Sequence, residues 1–279
     1  MKTLTRISAL LLYLALSFTS VFSQETLWKT YIENGFSAFS RGEYSEAERL
    51  FRAAIREVGN AASDKDAANK MIITLNALEN TLVKQEKYTD AERVARELVH
   101  LMELTRPSTD PEYAISLNNL GLILSYERKY KESEEIHRKA LTLREKNEGP
   151  NHPNVAASLL NLGKVYYDQG MNTEAAALFN RAFAILTKIP PEDATSEELD
   201  MVVSCIFNLG LIDKDQKNYT AAEKRFKVVI LLTEKLKGLQ HPDLLDYLDN
   251  YASVLRAMKR LAEASKVEYR AKLIRSKYQ

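Results

Sequence analysis

Four asparagines stand at matching places along this chain: Asn119, Asn161, Asn208 and Asn250, each two residues before a small residue (Gly121, Gly163, Gly210 and Ala252). A primary amide carries two N–H donors and an acceptor oxygen. It can pair with the N–H and C=O of a peptide backbone together, without reading that peptide's side chains. If each such amide contributes about 1 kcal/mol net, four supply only part of a micromolar affinity. The same amides have an internal use, in which each bonds to a neighbouring helix or loop and holds the structure together, because buried amides are usually satisfied within the protein. The residue types leave both uses open.

The elements that would position these amides follow from an internal repeat. Gly121, Gly163 and Gly210 are 42 and 47 residues apart, Ala252 follows 42 later, and Gly35 lies 86 residues before Gly121, with room for a weaker copy between them. Each anchor is followed by a second signature: GEYSEAERLFRAAI (42–55), EKYTDAERVARELV (86–99), RKYKESEEIHRKAL (128–141), GMNTEAAALFNRAF (170–183), KNYTAAEKRFKVVI (217–230) and KRLAEASKVEYRAK (259–272). Each holds a turn residue, most often Tyr, and then a small residue three positions on: Ala47, Ala91, Ser133, Ala175, Ala222 and Ala264. A Phe follows in three copies (Phe51, Phe179, Phe226), and a small residue closes several (Ala54, Ala140, Ala182, Ala271). Apolar residues recur at three- and four-residue spacing on both arms, which predicts a helix hairpin repeated six times. Gly in a helix costs about 1 kcal/mol; the expected compensation is close packing, with each glycine facing the small residue of the second helix. Repeat 2 departs, with Glu79 at the glycine place, and repeat 4 has Asn172 in place of the turn aromatic. Pro111, Pro153 and Pro242 suit the first turn of a following helix. His152 and His241 precede two of these prolines in a recurring loop motif, with no metal or catalytic spacing around them.

These features, spread over residues 27–279, resemble the tetratricopeptide repeat (TPR) family. The 42-residue period, together with GPNHPNVA (149–156) and GLQHPDLLD (238–246), is similar to the kinesin-light-chain type of TPR. The resemblance implies an all-α fold, a right-handed α-solenoid of about six TPR hairpins, with repeats near 28–61, 72–105, 114–147, 156–189, 203–236 and 245–278. It further implies that the first helices line a concave groove and that the four asparagines point into it as a ladder for an extended peptide. Tyr126, Lys164, Tyr167, Lys214 and Arg256 would then lie on or near the groove wall and favour a peptide with acidic and apolar residues. Periodicity alone shows only that the asparagine position lies beside the apolar stripe.

The N-terminus bears on compartment. Lys2 and Arg6 precede an uncharged, largely apolar run from Ile7 to Phe18, followed by a polar stretch ending in Ser23. That is the layout of a secretory signal peptide over residues 1–23, cut after Ser23, and the run is short for a membrane span. Cleavage takes the basic count from 39 to 37 against 38 acidic residues, a net charge of −1. The expected protein is therefore exported, whether periplasmic, envelope-associated or secreted, with no integral membrane span after cleavage. A near-neutral balance gives no electrostatic footprint for nucleic acid. The lone Cys205 sits in the apolar run MVVSCIFNLGLI and reads as a buried small residue. Phosphate-binding loops, dinucleotide fingerprints, HExxH, CxxC and G-x-S-x-G are all missing from the sequence, so neither an enzyme nor a cofactor is expected. From Arg256 onward eight Lys/Arg face two Glu, which suits a solvated end cap and makes an anionic surface a candidate contact. The leading function is an exported interaction module for a peptide or protein segment; the alternative is a self-associating scaffold of the cell envelope.

Overall fold

The computed structural model describes residues 27–58 and 65–278, and the expected signal segment lies outside them. The described residues form twelve α-helices and no strand. Helix α1 covers residues 27–40. It is followed by α2 (Tyr44–Val58), α3 (Lys65–Lys84), α4 (Tyr88–Thr105), α5 (Pro111–Tyr126), α6 (Tyr130–Glu148), α7 (Pro153–Asp168), α8 (Asn172–Leu186), α9 (Ser196–Asp215), α10 (Tyr219–Lys237), α11 (Leu244–Ala257) and α12 (Leu261–Arg275). They pair into six hairpins, odd-numbered helix first. The chain divides into two compact units between Ser133 and Glu134. In the first unit α3 packs on α2 and α4, and α4 on α5. In the second, each helix from α7 to α11 packs on its successor, and the odd-numbered α7 and α11 also touch α9.

Every hairpin turns in the same way. The residue two before the second helix has a left-handed backbone: Gly42, Glu86, Arg128, Gly170, Lys217 and Lys259, with φ between 58° and 77°. The next N–H reaches five residues back to a helix carbonyl, as in Lys87 N to Leu82 O and Met171 N to Tyr166 O, 2.9 and 2.8 Å. This is the Schellman closure, which satisfies carbonyls left open at a helix end. Four of the six positions hold a residue with a Cβ in a conformation that costs such residues about 1–2 kcal/mol. Helix starts are capped individually. The Asp110 and His152 side chains accept from Glu112 N and Asn154 N, with Pro111 and Pro153 in the first turn of α5 and α7. Pro242 differs from expectation: it lies in the turn before α11, whose first residue is Leu244.

The hairpin core corrects the expected role of glycine. The six small residues of the second helices are fully buried. However, a Cβ added at Gly35, Gly163 or Gly210 would fall 2.5, 2.6 or 2.8 Å from a ring carbon of Phe51, Phe179 or Phe226. The glycine therefore admits a phenyl ring sixteen residues later, and this ring, not the small residue, fills the space. In repeat 3 the small residue does meet its glycine, since the Ser133 hydroxyl donates to Gly121 O at 2.7 Å. The ring position explains the departure in repeat 2. Glu79 replaces the glycine and Ala95 replaces the ring, both buried, so bulk has moved from the second helix to the first. In repeat 3 the ring position is His137, fully buried and held down to about 4 by desolvation and then by Arg144.

Ion pairs join successive second helices. The Glu four residues after the turn position meets the base just before the next second helix: Glu48 with Lys87, Glu92 with Lys129, Glu223 with Arg260, at 2.6–2.7 Å. The same acids also accept from Arg52, Arg96 or Lys227 one turn on. Hydrogen bonds from Lys129 and Arg96 outweigh burial at Glu92 and hold its carboxyl down to about 2.

Candidate functional site

In the first unit the amide position is filled by Asn119 on α5, half-buried beside the fully buried Asn118. Asn119 hydrogen-bonds to the Glu79 carboxyl of α3, and that bond partly opposes the effect of burial, which raises the Glu79 pKa to about 7. A carboxyl with 1 % exposure needs such a donor. The amide thus braces α5 against α3. Tyr126, at the end of α5, stacks on the turn residue Tyr88 with ring centroids 4.9 Å apart and remains half exposed.

In the second unit the three remaining amides lie on adjoining first helices, α7, α9 and α11. Their states differ. Asn161 is half-buried and makes no side-chain hydrogen bond among the described residues. Asn208 is only 8 % exposed, and its Nδ2 donates back along α9 to Ser204 O at 2.8 Å. Asn250 donates in the same way to Asp246 O at 2.8 Å, and its Oδ1 accepts from Lys214 Nζ at 2.7 Å. Lys214 therefore ties α9 to α11, and two of the residues expected to face a ligand face each other.

The other expected wall residues divide likewise. Tyr167 donates to Asp215 Oδ2 at 2.6 Å, linking the ends of α7 and α9; burial and then this bond keep its hydroxyl protonated well above the usual phenol range. Lys164 is exposed one turn after Asn161 on the same helix, close enough to Asp168 to oppose the rise that burial gives that carboxyl. Arg256 makes a bidentate pair with Glu268, 2.6 and 2.7 Å, closing α11 on α12. Among the expected contacts, Asn161 and Lys164 make no side-chain hydrogen bond or ion pair to a described residue. Glu79 was identifiable in sequence as an outlier at the glycine place; Asp215, partner of Tyr167, had no local signal.

Other candidate chemistry resolves into structure. Burial pushes the Cys205 thiol up to about 12, which makes it inert as a nucleophile. His152 caps α7, and His241 Nδ1 accepts from Asp243 N at 3.3 Å. Among the described residues no group of three or more His, Cys, Asp and Glu could hold a metal ion, and no helix is long and apolar enough to cross a membrane. Of the eight bases from Arg256 onward, Arg256, Arg260, Arg270 and Arg275 hold ion pairs to Glu268, Glu223 with Glu263, Glu234 and Asp249. Much of that basic excess is neutralised within the fold.

Two tetratricopeptide repeat models match the chain, one over residues 112–188 and the other over residues 202–243. No curated protein sequence matches it. Among solved structures it is similar to BtubC (BKLC) from P. vanneervenii, with 20% identity over 88% of this chain and 92% of that one and a TM-score of 0.64. A kinesin light chain protein of nearly identical TPR-like repeats from Podosopora anserina is 19% identical, covering 74% of this chain and 95% of that one at a TM-score of 0.57. A Rap protein complexed with Competence and Sporulation Factor is 13% identical, covering 91% of this chain and 77% of that one at a TM-score of 0.63. At these identities the likeness shows fold. The chain carries tetratricopeptide repeats in an all-α helical-repeat fold like that of the kinesin-light-chain-like proteins, a fold characteristic of protein–protein interaction scaffolds.

Proposed function

We propose that the chain is a non-enzymatic interaction module that holds an extended peptide segment against α7, α9 and α11. The observation that carries this reading is Asn161: a half-buried amide with donors and acceptor uncommitted among the described residues, on the helix that also presents Lys164. Asn208 adds its carbonyl oxygen and one N–H, because its bond to Ser204 uses only the other N–H. Asn250 adds one N–H, since Lys214 occupies its oxygen. The ladder is therefore shorter than four rungs and centred on Asn161 and Asn208. Asn119 serves Glu79, and Arg256 serves Glu268. Lys164 favours an acidic residue in the peptide. The Rap neighbour lends support, as a protein of this fold complexed with a factor. We also propose that the chain is exported, from the layout of residues 1–23.

Display of random peptides on phage against the purified chain tests the reading. Two amides at about 1 kcal/mol each correspond to roughly 30-fold in affinity. Asn161→Ala with Asn208→Ala should weaken selected peptides by that factor while leaving helicity and melting nearly unchanged. Peptides that bind the double variant equally well would refute the reading. A self-associating scaffold is the second reading, favoured by the exposed Leu231, Leu239, Tyr269, Leu273 and Tyr278 on and beside α10 and α12. Concentration-dependent multimers in sedimentation would support it.

A further inference from the structure

The 47-residue spacing between Gly163 and Gly210 exceeds the 42-residue copies by five, and the α8–α9 connection is longer than the α6–α7 and α10–α11 connections. Residues 187–195 form it, with Thr195 and Glu198 closing a reciprocal capping box at the start of α9. The longer connection walls a cavity of about 530 Å³ against α9 and α10. This lies within the usual size range of small-molecule sites. Its walls are apolar, including Ile189, Pro191, Leu199, Val202 and Leu232, and two ionisable residues reach it, Glu198 and Lys235. The Glu198 carboxylate is committed to the cap, accepting from Thr195 N at 2.7 Å and from the Thr195 hydroxyl at 2.9 Å. Lys235 is exposed and has no ion pair among the described residues, whereas Lys237, two residues on, is held by Asp200 and Asp243.

An apolar chamber with one uncommitted cation at its lining suits one chemistry: an apolar tail ending in an anion. We propose that this cavity binds a medium-chain fatty acid, its alkyl chain between the α8–α9 connection and α9 and its carboxylate at Lys235. The site is separate from the amide face and draws on a different set of residues. Burying the tail supplies affinity through methylene transfer, about fourfold per CH₂, and Lys235 selects the carboxylate.

Calorimetric titration of the purified chain with octanoate, decanoate and dodecanoate, each below its micellar concentration, tests this. The expected result is saturable 1:1 binding that tightens about fourfold per added methylene. Lys235→Glu, an exposed substitution, should weaken dodecanoate at least tenfold and leave dodecanol unchanged. Ala194→Trp, which puts an indole into the cavity from the connection, should abolish binding of both, with circular dichroism confirming the fold. Absence of saturable dodecanoate binding, or binding that Lys235→Glu leaves unmoved, overturns the proposal.

Discussion

Glu79 gives the chain a pH dependence that can be worked out in advance. Its carboxyl occupies the helix face that glycine takes in four other repeats, is 1 % exposed and titrates near pH 7 against an ordinary value of 4.5. Burial is the cause, and the Asn119 hydrogen bond only partly opposes it. A raised folded-state value means that the folded chain binds this proton more tightly than the unfolded one. The resulting stabilisation is full below pH 4.5 and is lost as pH rises through 7. Each pKa unit corresponds to 1.36 kcal/mol, so between pH 5 and pH 8 the loss is roughly 2–3 kcal/mol. Two other groups must be separated from it. His137, held down to about 4, makes stability rise with pH between about 4 and 6.5, the opposite slope. Glu92, held near 2, acts only below the carboxylate range, where its stabilisation is lost as pH falls. Subtracting a Glu79→Gln variant removes both. Trp28 is the sole tryptophan and donates from its indole N–H to the Thr74 hydroxyl of α3 at 3.0 Å, so its fluorescence reports the unit that holds Glu79. In urea unfolding followed at Trp28, the parent chain should lose roughly 2–3 kcal/mol relative to Glu79→Gln between pH 5 and pH 8. A difference that stays flat within about 1 kcal/mol would refute the reasoning.

The bulk exchange in repeat 2 predicts coupling: Glu79→Gly and Ala95→Phe should each destabilise alone, by a cavity and by overpacking, and recover about 1–3 kcal/mol when combined, read from a double-mutant cycle of urea unfolding. Gly163→Ala puts a methyl 2.6 Å from the Phe179 ring and should lower the thermal midpoint by the equivalent of about 1–3 kcal/mol, whereas an unchanged midpoint would show that the ring yields freely. Mass spectrometry of the mature chain should give an N-terminus at Gln24; a chain still beginning at Met1 contradicts the signal-peptide reading.

What could be read from the sequence was whatever recurs at a fixed offset. The turn tyrosines Tyr44, Tyr88, Tyr130 and Tyr219 begin second helices, and the small residues three positions later are all buried, because one packing solution repeats and one spacing suffices to find it. The partner of the glycines differs from expectation although its signal is present in the sequence. Gly35, Gly163 and Gly210 are each followed sixteen residues later by Phe, and the exception Glu79 is followed by Ala95. Total volume at the crossing, not either residue type alone, is what the fold preserves. The left-handed turn was hidden for a different reason. Only Gly42 and Gly170 advertise it, while Glu86, Arg128, Lys217 and Lys259 accept the strain because the helices on either side leave the backbone no other path.

The four asparagines were the least legible feature, and they show where a periodic argument stops. All four share one register, yet the hydrogen bonds of Asn119, Asn208 and Asn250 are set by residues about 36–40 positions away or by the helix backbone beneath them. Asn119 meets a carboxyl only because repeat 2 lacks its glycine, and Asn250 meets Lys214 from the preceding repeat. A repeat fixes where a side chain starts; the neighbouring repeat decides which of its polar atoms remain for anything else. Since Lys214 serves Asn250 and no equivalent bond reaches Asn161 among the described residues, the proposed binding role would rest mainly on α7. A ladder that bound ligand evenly would require four equivalent amides, and the neighbours of these four make them unequal.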